Sequence, residues 1–280
     1  MQYELTTLRR LQKAELEILE AIDRVCREHG LSYFLDSGTV LGARRHGGFI
    51  PWDDDIDLGM PRDDYERFLD IAPAALGDRF RLTCSRSNPH QAALFSKVML
   101  VGTRFVPDET EEAGFDQGIF VDIFPYDAVC SEPNAAKRQR KRCMMWQSLS
   151  YLYHSKHIVV PHKGALGAAE KAACRIAHYV VRAVLSPERI NRGFDKVAMI
   201  AKGDPKSEML MASSYAAIEP YPKSMLLPPT IIEFEGKELF APADVEGYLL
   251  TQYGRTWNQL PPEDQRRNHA PKELYLGMDS

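Results

Sequence analysis

Four carboxylates fall within five residues in the stretch Trp52-Asp53-Asp54-Asp55-Ile56-Asp57-Leu58-Gly59. Like charges so close raise one another's pKa, and a fold that keeps them together and ionised usually supplies a cation to offset the repulsion. If the chain is extended from Asp55 to Leu58, side chains alternate, so Asp55 and Asp57 share one face while Ile56 and Leu58 enter the core. Asp53 has the same parity. Hard oxygen ligands of this kind suit Mg²⁺ or Mn²⁺, with water and substrate phosphate completing the shell. Two plainer readings compete. An acidic surface turn leaves the apolar alternation that follows unexplained. An EF-hand calcium loop puts Leu58 where that loop needs glycine and Asp64 where it needs glutamate.

Upstream lies the turn Leu35-Asp36-Ser37-Gly38-Thr39. Gly38 lets the backbone approach a ligand closely, and the helix that follows offers unpaired N–H groups to a phosphate, with the Thr39 hydroxyl as a further donor. Alone, a Gly-Thr at a helix start is equally an N-cap. Beside an acidic strand it forms the working arrangement for metal-assisted phosphoryl transfer, in which phosphate is positioned and neutralised while a hydroxyl attacks in line. Downstream, Asp122 interrupts the apolar strand Ile119 to Phe124, where a carboxylate is costly to bury unless it is paired or metal-bound. A satisfied core network is the structural alternative for Asp122. Lys97 breaks the apolar run Leu94 to Val101, as a directed cation or as a snorkelling edge-strand lysine.

Apolar spacing predicts the elements that must position these groups. A helix is expected over 7–29, then a strand Tyr33 to Leu35, a short helix Thr39 to Arg45, a strand Ile56 to Met60 and a helix Arg62 to Leu76. Further strands are expected at 80–84, 94–100, 103–106 and 118–124, and a hairpin within Phe234 to Phe240. Residues 133–200 read as mostly helical, with breaks near Pro161, Gly164 and Pro187. These elements make an α/β (α+β) protein, a mixed sheet flanked by helices with a helical subregion after it.

At 280 residues, 44% hydrophobic and 26% charged, the chain has the size and composition of an ordinary globular enzyme and not of a disordered, collagenous or membrane-spanning chain. Cys26, Cys84, Cys130, Cys143 and Cys174 are odd in number and scattered, which reads as thiols in a reducing compartment. Glu4, Arg9, Arg10 and Lys13 stand where a signal core would be apolar, so a cytoplasmic location is expected. The net charge of −4 argues against nucleic acid as a partner, but its distribution is uneven. Residues 133–169 carry no acid against Lys137, Arg138, Arg140, Lys141, Arg142, Lys156 and Lys163. Such a stretch is a solvated helix face or a seat for an anionic ligand, a nucleic-acid backbone or an anionic membrane surface.

The run from Gly38 through Arg45-His46-Gly47-Gly48-Phe49-Ile50-Pro51-Trp52 to Asp57 resembles the signature of the LicD family, which includes phosphocholine transferases and is related to the fukutin group. Gly118 to Pro125 resembles its second acidic strand, and Tyr253-Gly254 with Leu260 through His269 its C-terminal segment. The resemblance implies one transferase domain over 1–280. Its nucleotidyltransferase-like core would span about 30–130 and its C-terminal hairpin and helix segment about 205–280, while the basic helical subregion of about 133–200 between them rests on composition alone. It implies transfer of a phospho-alcohol, phosphocholine above all, from a cytidine diphosphate (CDP) donor to a hydroxyl of a cell-surface glycan or its lipid-linked precursor. Asp55, Asp57 and Asp122 match the metal ligands, with Asp53 a fourth participant and Asp122 or Asp53 the general base. Gly38, Thr39, Arg45 and Lys97 are the donor-phosphate candidates, with His46 and His269 assisting. A choline headgroup would need an aromatic face, for which Trp52, Trp146, Tyr151 and Tyr153 are candidates. The basic stretch 133–169 would meet a membrane or a lipid-linked acceptor peripherally. Arg44 and Gly47 depart from the family's usual residues. The competing readings are a nucleotidyltransferase that moves a nucleoside monophosphate, and a non-catalytic metal-dependent binding module.

Overall fold

The computed structural model describes residues 3–107, 110, 113–156, 162–266 and 268–277. The first half of the chain runs α1 (Leu5–His29), β1 (Phe34–Leu35), α2 (Ser37–His46), β2 (Asp57–Pro61), α3 (Arg62–Ala75), β3 (Phe80–Cys84), β4 (Ser96–Leu100), β5 (Arg104–Val106) and β6 (Phe120–Ala128). Three helices follow, α4 (Pro133–His154), α5 (Gly164–Val184) and α6 (Pro187–Ala198). The chain then forms β7 (Met209–Ala212), β8 (Tyr221–Pro222), α7 (Lys223–Leu226), β9 (Thr230–Phe234), β10 (Lys237–Ala241), α8 (Val245–Tyr253) and β11 (Glu273–Tyr275).

The main sheet has the order β1-β2-β6-β4-β3, and β7 and β8 extend it from the far half of β6. Only β2 and β6 are parallel, so the sheet is mixed and helices flank it as expected. Strand β6 runs on to Ala128, past the apolar segment that predicted it, because Tyr126 to Ala128 find a second partner in β7. Helix α1 turns Leu11, Ile18, Leu19, Ile22, Val25 and Cys26 into the core beneath the sheet. A second apolar cluster, with Cys143, Ile190, Phe194 and Met211, joins α4 and α6 to β7. Of the expected helix breaks, Gly164 and Pro187 are helix starts, while Pro161 lies outside the described residues. All five cysteines are free thiols. Among the described residues no helix is long and apolar enough to cross a membrane.

The hairpin β9–β10 turns at Glu235-Gly236, both with positive φ, the geometry of a type I′ turn. Its tip holds the loop that leads to the aspartates. Glu235 N–H donates to Gly47 O at 2.8 Å, and its carboxylate accepts from Phe49 N–H at 3.2 Å and from Arg9. The same loop passes close over α2, where a Cβ on Gly42 would lie 2.5 Å from Gly48 O and 3.1 Å from Ile50 N. Neither backbone atom can yield cheaply. Gly42→Ala should therefore destabilise the protein by about 1–3 kcal/mol, read by urea unfolding. A loss below about 0.5 kcal/mol would mean that close approach is not why glycine stands there.

Candidate active site

Strands β2 and β6 pair in parallel with Asp57 opposite Asp122, which sets two carboxylates side by side on neighbouring strands. The glycine turn is tied to the same point. Asp57 N–H donates to Thr39 Oγ1 at 2.9 Å, Asp57 O accepts from Asp36 N–H at 2.9 Å, and Ile56 O accepts from Asp122 N–H at 3.0 Å. A cleft of about 690 Å³ opens here, lined by Asp36, Asp54, Asp55, Asp57 and Asp122 on one side. Phe105, Phe120, Phe124, Tyr126 and Tyr215 supply an aromatic wall, and His269 enters from the C-terminal segment. That segment is brought over the sheet by β11, which pairs antiparallel with β5.

Crowding shows in the electrostatics. Burial, and then the charges of Asp55 and Asp122, hold the Asp57 carboxyl well above the ordinary carboxylate range. Burial and its neighbours Asp55 and Asp54 likewise push Asp53 up to about 8. Asp122 is raised by burial, while the Lys97 ammonium opposes that rise across 2.5 Å. Lys97 also sits 3.4 Å from the centroid of the Phe120 ring. Asp36 is buried as the N-cap of α2 and accepts from Ser37 N–H and Tyr126 Oη, each at 2.8 Å, and from Tyr248 Oη.

The residues expected from sequence separate into two groups. Asp55, Asp57, Asp122 and His269 line the cleft. Lys97 is held on Asp122 instead of standing alone. Thr39 is buried, and its hydroxyl serves as an acceptor that ties β2 to the glycine turn. At Gly38 a Cβ would lie 2.9 Å from Asp53 Oδ2, the far end of a side chain. Asp53 is turned toward that glycine and does not line the cleft. Arg45 donates to Trp257 O at 3.2 Å and Gln259 O at 3.0 Å, and His46 packs edge-on to Trp52, so both hold the C-terminal loop and the acidic loop outside the cleft lining. Of the aromatic candidates, Trp52 lies under Arg266, Trp146 packs on Gly193 and Tyr153 lies under Arg182. Tyr151 neighbours the cleft residue Tyr215.

Three acids of the site carry no assignment from sequence. Asp36 and Asp54 line the cleft, and Asp54 is buried, accepting from Tyr3 Oη at 2.8 Å and His269 N–H at 2.7 Å. Glu15 of α1 is buried beneath the cluster with Oε2 unpartnered among the described residues, and burial with the charges of Asp55 and Asp54 raises its pKa. Its signal was readable, since Gln12 and Glu15 occupy the helix's apolar stripe between Leu11 and Ile18.

Among the described residues no three His, Cys, Asp or Glu side chains are gathered so as to hold a metal ion by themselves. A Mg²⁺ site does not require that, because it is commonly built from one or two carboxylates plus water and substrate phosphate. The donor set here is oxygen throughout, and the raised carboxylates mark a deficit of positive charge, so the residues fit such an ion. His269 senses the same field. Its ring nitrogen lies 3.5 Å from Asp54 and 3.6 Å from Asp55, and Asp54, opposed by burial and reinforced by Asp55, raises its pKa to about 9. The imidazolium's stabilising contribution is complete below its ordinary 6.5 and is lost as pH rises through about 9. Because the ring is three-quarters exposed, screening keeps that contribution small. In metal-free protein the ring should titrate near 9 by NMR, moving down when Mg²⁺ is added. Titration near 6.5 in both states would show that the ring does not sense the carboxylates.

The glycine turn is thus tied to two aspartates on adjacent parallel strands. A family model described as LicD/FKTN/FKRP, nucleotidyltransferase domain, matches residues 30–164. The lipopolysaccharide cholinephosphotransferase LicD of Haemophilus influenzae is 28% identical over 96% of this chain and 98% of its own length. Human ribitol 5-phosphate transferase FKRP is 35% identical over 30% of this chain and 19% of its own, and mouse ribitol-5-phosphate transferase FKTN 34% over 22% and 13%. Residues 30–164 thus match the LicD family, and the chain is an enzyme that transfers phosphate-containing groups.

Proposed function

We propose that this cleft moves a phospho-alcohol, with phosphocholine the best-supported group, from a CDP-alcohol to a hydroxyl of a cell-surface glycan or its lipid-linked precursor. The observation that carries the reading is the register pair Asp57–Asp122 at the glycine turn, in a chain 28% identical over 96% of its length to a cholinephosphotransferase. When bound, Mg²⁺ or Mn²⁺ held by Asp55, Asp57 and Asp122 would offset charge on the donor's phosphoryl oxygens and lower the nucleophile's pKa.

The chain's own residues supply the rest. The acceptor oxygen attacks the phosphorus that bears the alcohol, in line with the departing cytidine monophosphate. Asp122 lines the cleft and takes the hydroxyl proton, a role that Asp53, turned toward Gly38, is poorly placed to fill. Lys97 is the cation next to the reacting phosphate. Its ammonium already rests on Phe120, and a quaternary ammonium entering the cleft would meet the same aromatic wall of Phe105, Phe120, Phe124 and Tyr215.

Calorimetry with Mg²⁺ present should detect CDP-choline, and CDP-ribitol or CDP-glycerol more weakly, with binding lost in Asp55→Ala/Asp57→Ala. Release of cytidine monophosphate then separates transfer from mere binding. Preference for a nucleoside triphosphate would replace this reading with nucleotidyl transfer. Metal-dependent binding without release would replace it with a binding module.

A further inference from the structure

Helix α5 (Gly164–Val184) touches the rest of the protein along a narrow line. Among its described residues only Gly167, His178 and Val181 are buried. His178 Nδ1 lies 2.7 Å from Leu152 O, and the Arg182 guanidinium lies over Tyr153, so α5 rests on the end of α4 by its second half. Away from that line, Leu166, Ala169, Ala173, Ile176, Val180 and Val184 recur at intervals of three and four and make one stripe. Its large members are more than half exposed, Leu166 at 56%, Ile176 at 68%, Val180 at 55% and Val184 at 58%. Scattered exposed apolar residues need no explanation, but a stripe running the length of a helix, roughly 30 Å, marks a surface that meets something apolar.

Charge selects among the occupants. Residues 133–187 hold ten Lys and Arg against a single acid, Glu170. On α5 itself Lys171, Arg175 and Arg182 fall on the far side of the helix from the apolar stripe. A two-fold contact with a second copy would set this basic region against itself. An anionic lipid surface supplies both the opposite charge and the apolar boundary. Amphipathic helices that lie in a membrane interface divide their faces in this way.

We propose that α5 docks on an anionic membrane, with the Leu166–Val184 stripe at the boundary of headgroups and acyl chains and the basic side chains of α4 and α5 among the headgroups. Sequence alone directed attention to 133–169. In the structure Trp146 and Tyr153 of that stretch are packed, Met144, Met145 and Tyr151 of α4 are exposed, residues 157–161 lie outside the described residues, and the apolar stripe that runs the length of a helix belongs to α5. The inference rests on α5 and not on the donor chemistry.

Flotation of the full-length chain, without donor or acceptor, tests it on vesicles of phosphatidylcholine alone and of an equal mixture with phosphatidylglycerol. The chain should float with the anionic vesicles at low salt and release at about 1 M salt, where charge is screened beyond about 3 Å. Ile176→Glu/Val180→Glu should abolish flotation, and Lys171→Glu/Arg175→Glu should lower partitioning at least about tenfold. Both pairs are exposed, and circular dichroism checks that each variant folds. Absence of flotation with anionic vesicles, or flotation that Ile176→Glu/Val180→Glu leaves unchanged, overturns the proposal. A dimer in solution that the same variant splits, with no vesicle binding, overturns it in favour of a second copy.

Discussion

Asp57→Asn is expected to slow transfer by about 10³-fold, the rate equivalent of roughly 4 kcal/mol, while making the metal-free protein more stable. The rate falls because one of the two carboxylates paired across β2 and β6 no longer carries charge at the reacting phosphate. Stability rises because that carboxylate is held well above its ordinary range by burial and by Asp55 and Asp122, so ionising it in the fold costs more than ionising it in the unfolded chain. The sign follows directly. A carboxyl whose folded pKa is raised loses stability as pH climbs above its ordinary 3.8, so the variant's advantage is absent at lower pH and grows toward neutrality. We expect a Tm gain of about 2 °C, corresponding to about 1 kcal/mol, by calorimetry in the presence of a chelator. Asp122→Asn should lose a comparable rate without that gain, because it strips Lys97, itself only 17% exposed, of its carboxylate. Wild-type turnover in Asp57→Asn would remove this residue from the machinery. A fall in stability alongside lost turnover would show that the carboxylate is a structural acceptor.

The largest stability effect should come from the other face of the sheet edge. Arg62 opens α3 and meets Asp127 of β6 in a bidentate pair, Nε to Oδ1 at 2.7 Å and Nη2 to Oδ2 at 2.6 Å, with side-chain exposures of 6% and 1%. Ser213 Oγ donates to Oδ2 at 2.6 Å, and Arg62 continues through Glu66 to Arg86 and Asp195 of α6. The network joins the strand that carries Asp122 to the helical subregion. Asp127→Ala leaves the buried Arg62 guanidinium with the partly exposed Glu66 in place of its bidentate partner, a loss of about 3–5 kcal/mol expected from urea unfolding. Arg62→Met/Asp127→Leu should recover much of it, since apolar side chains remove both charges together. A loss under about 1 kcal/mol in the single variant would mean that water reaches the pair and screens it.

Much of the scaffold was legible because it depends on near neighbours. The apolar spacing of α1, the alternation after Asp55 and the turn at Glu235-Gly236 are each encoded within a few residues of where they act. Asp53, Arg45 and His46 depart from expectation because their directions are set by distant parts of the chain. Burial alternates from Asp53 to Leu58, but residues 53–56 form no regular strand, and alternation could not say that Asp53 would turn toward Gly38 and away from the cleft lining. Arg45 and His46 lie near the motif in sequence, but α2 presents them to the C-terminal loop and Trp52 instead of to the cleft.

By itself, then, the sequence determined the resemblance to the LicD family, the mixed sheet and the shared face of Asp55 and Asp57, because motifs and helix and strand periods are local properties that hydrophobic burial reads out directly. Only the tertiary structure decided the membership of the acidic cluster. Glu15 comes from α1, and Asp54 is secured by Tyr3 and by His269, 51 and 215 residues away along the chain. The physical reason is that a buried carboxylate is tolerated wherever partners from any part of the chain can hydrogen-bond or neutralise it. Which partners arrive is settled by packing of the two chain ends against the sheet, and no local pattern carries that information.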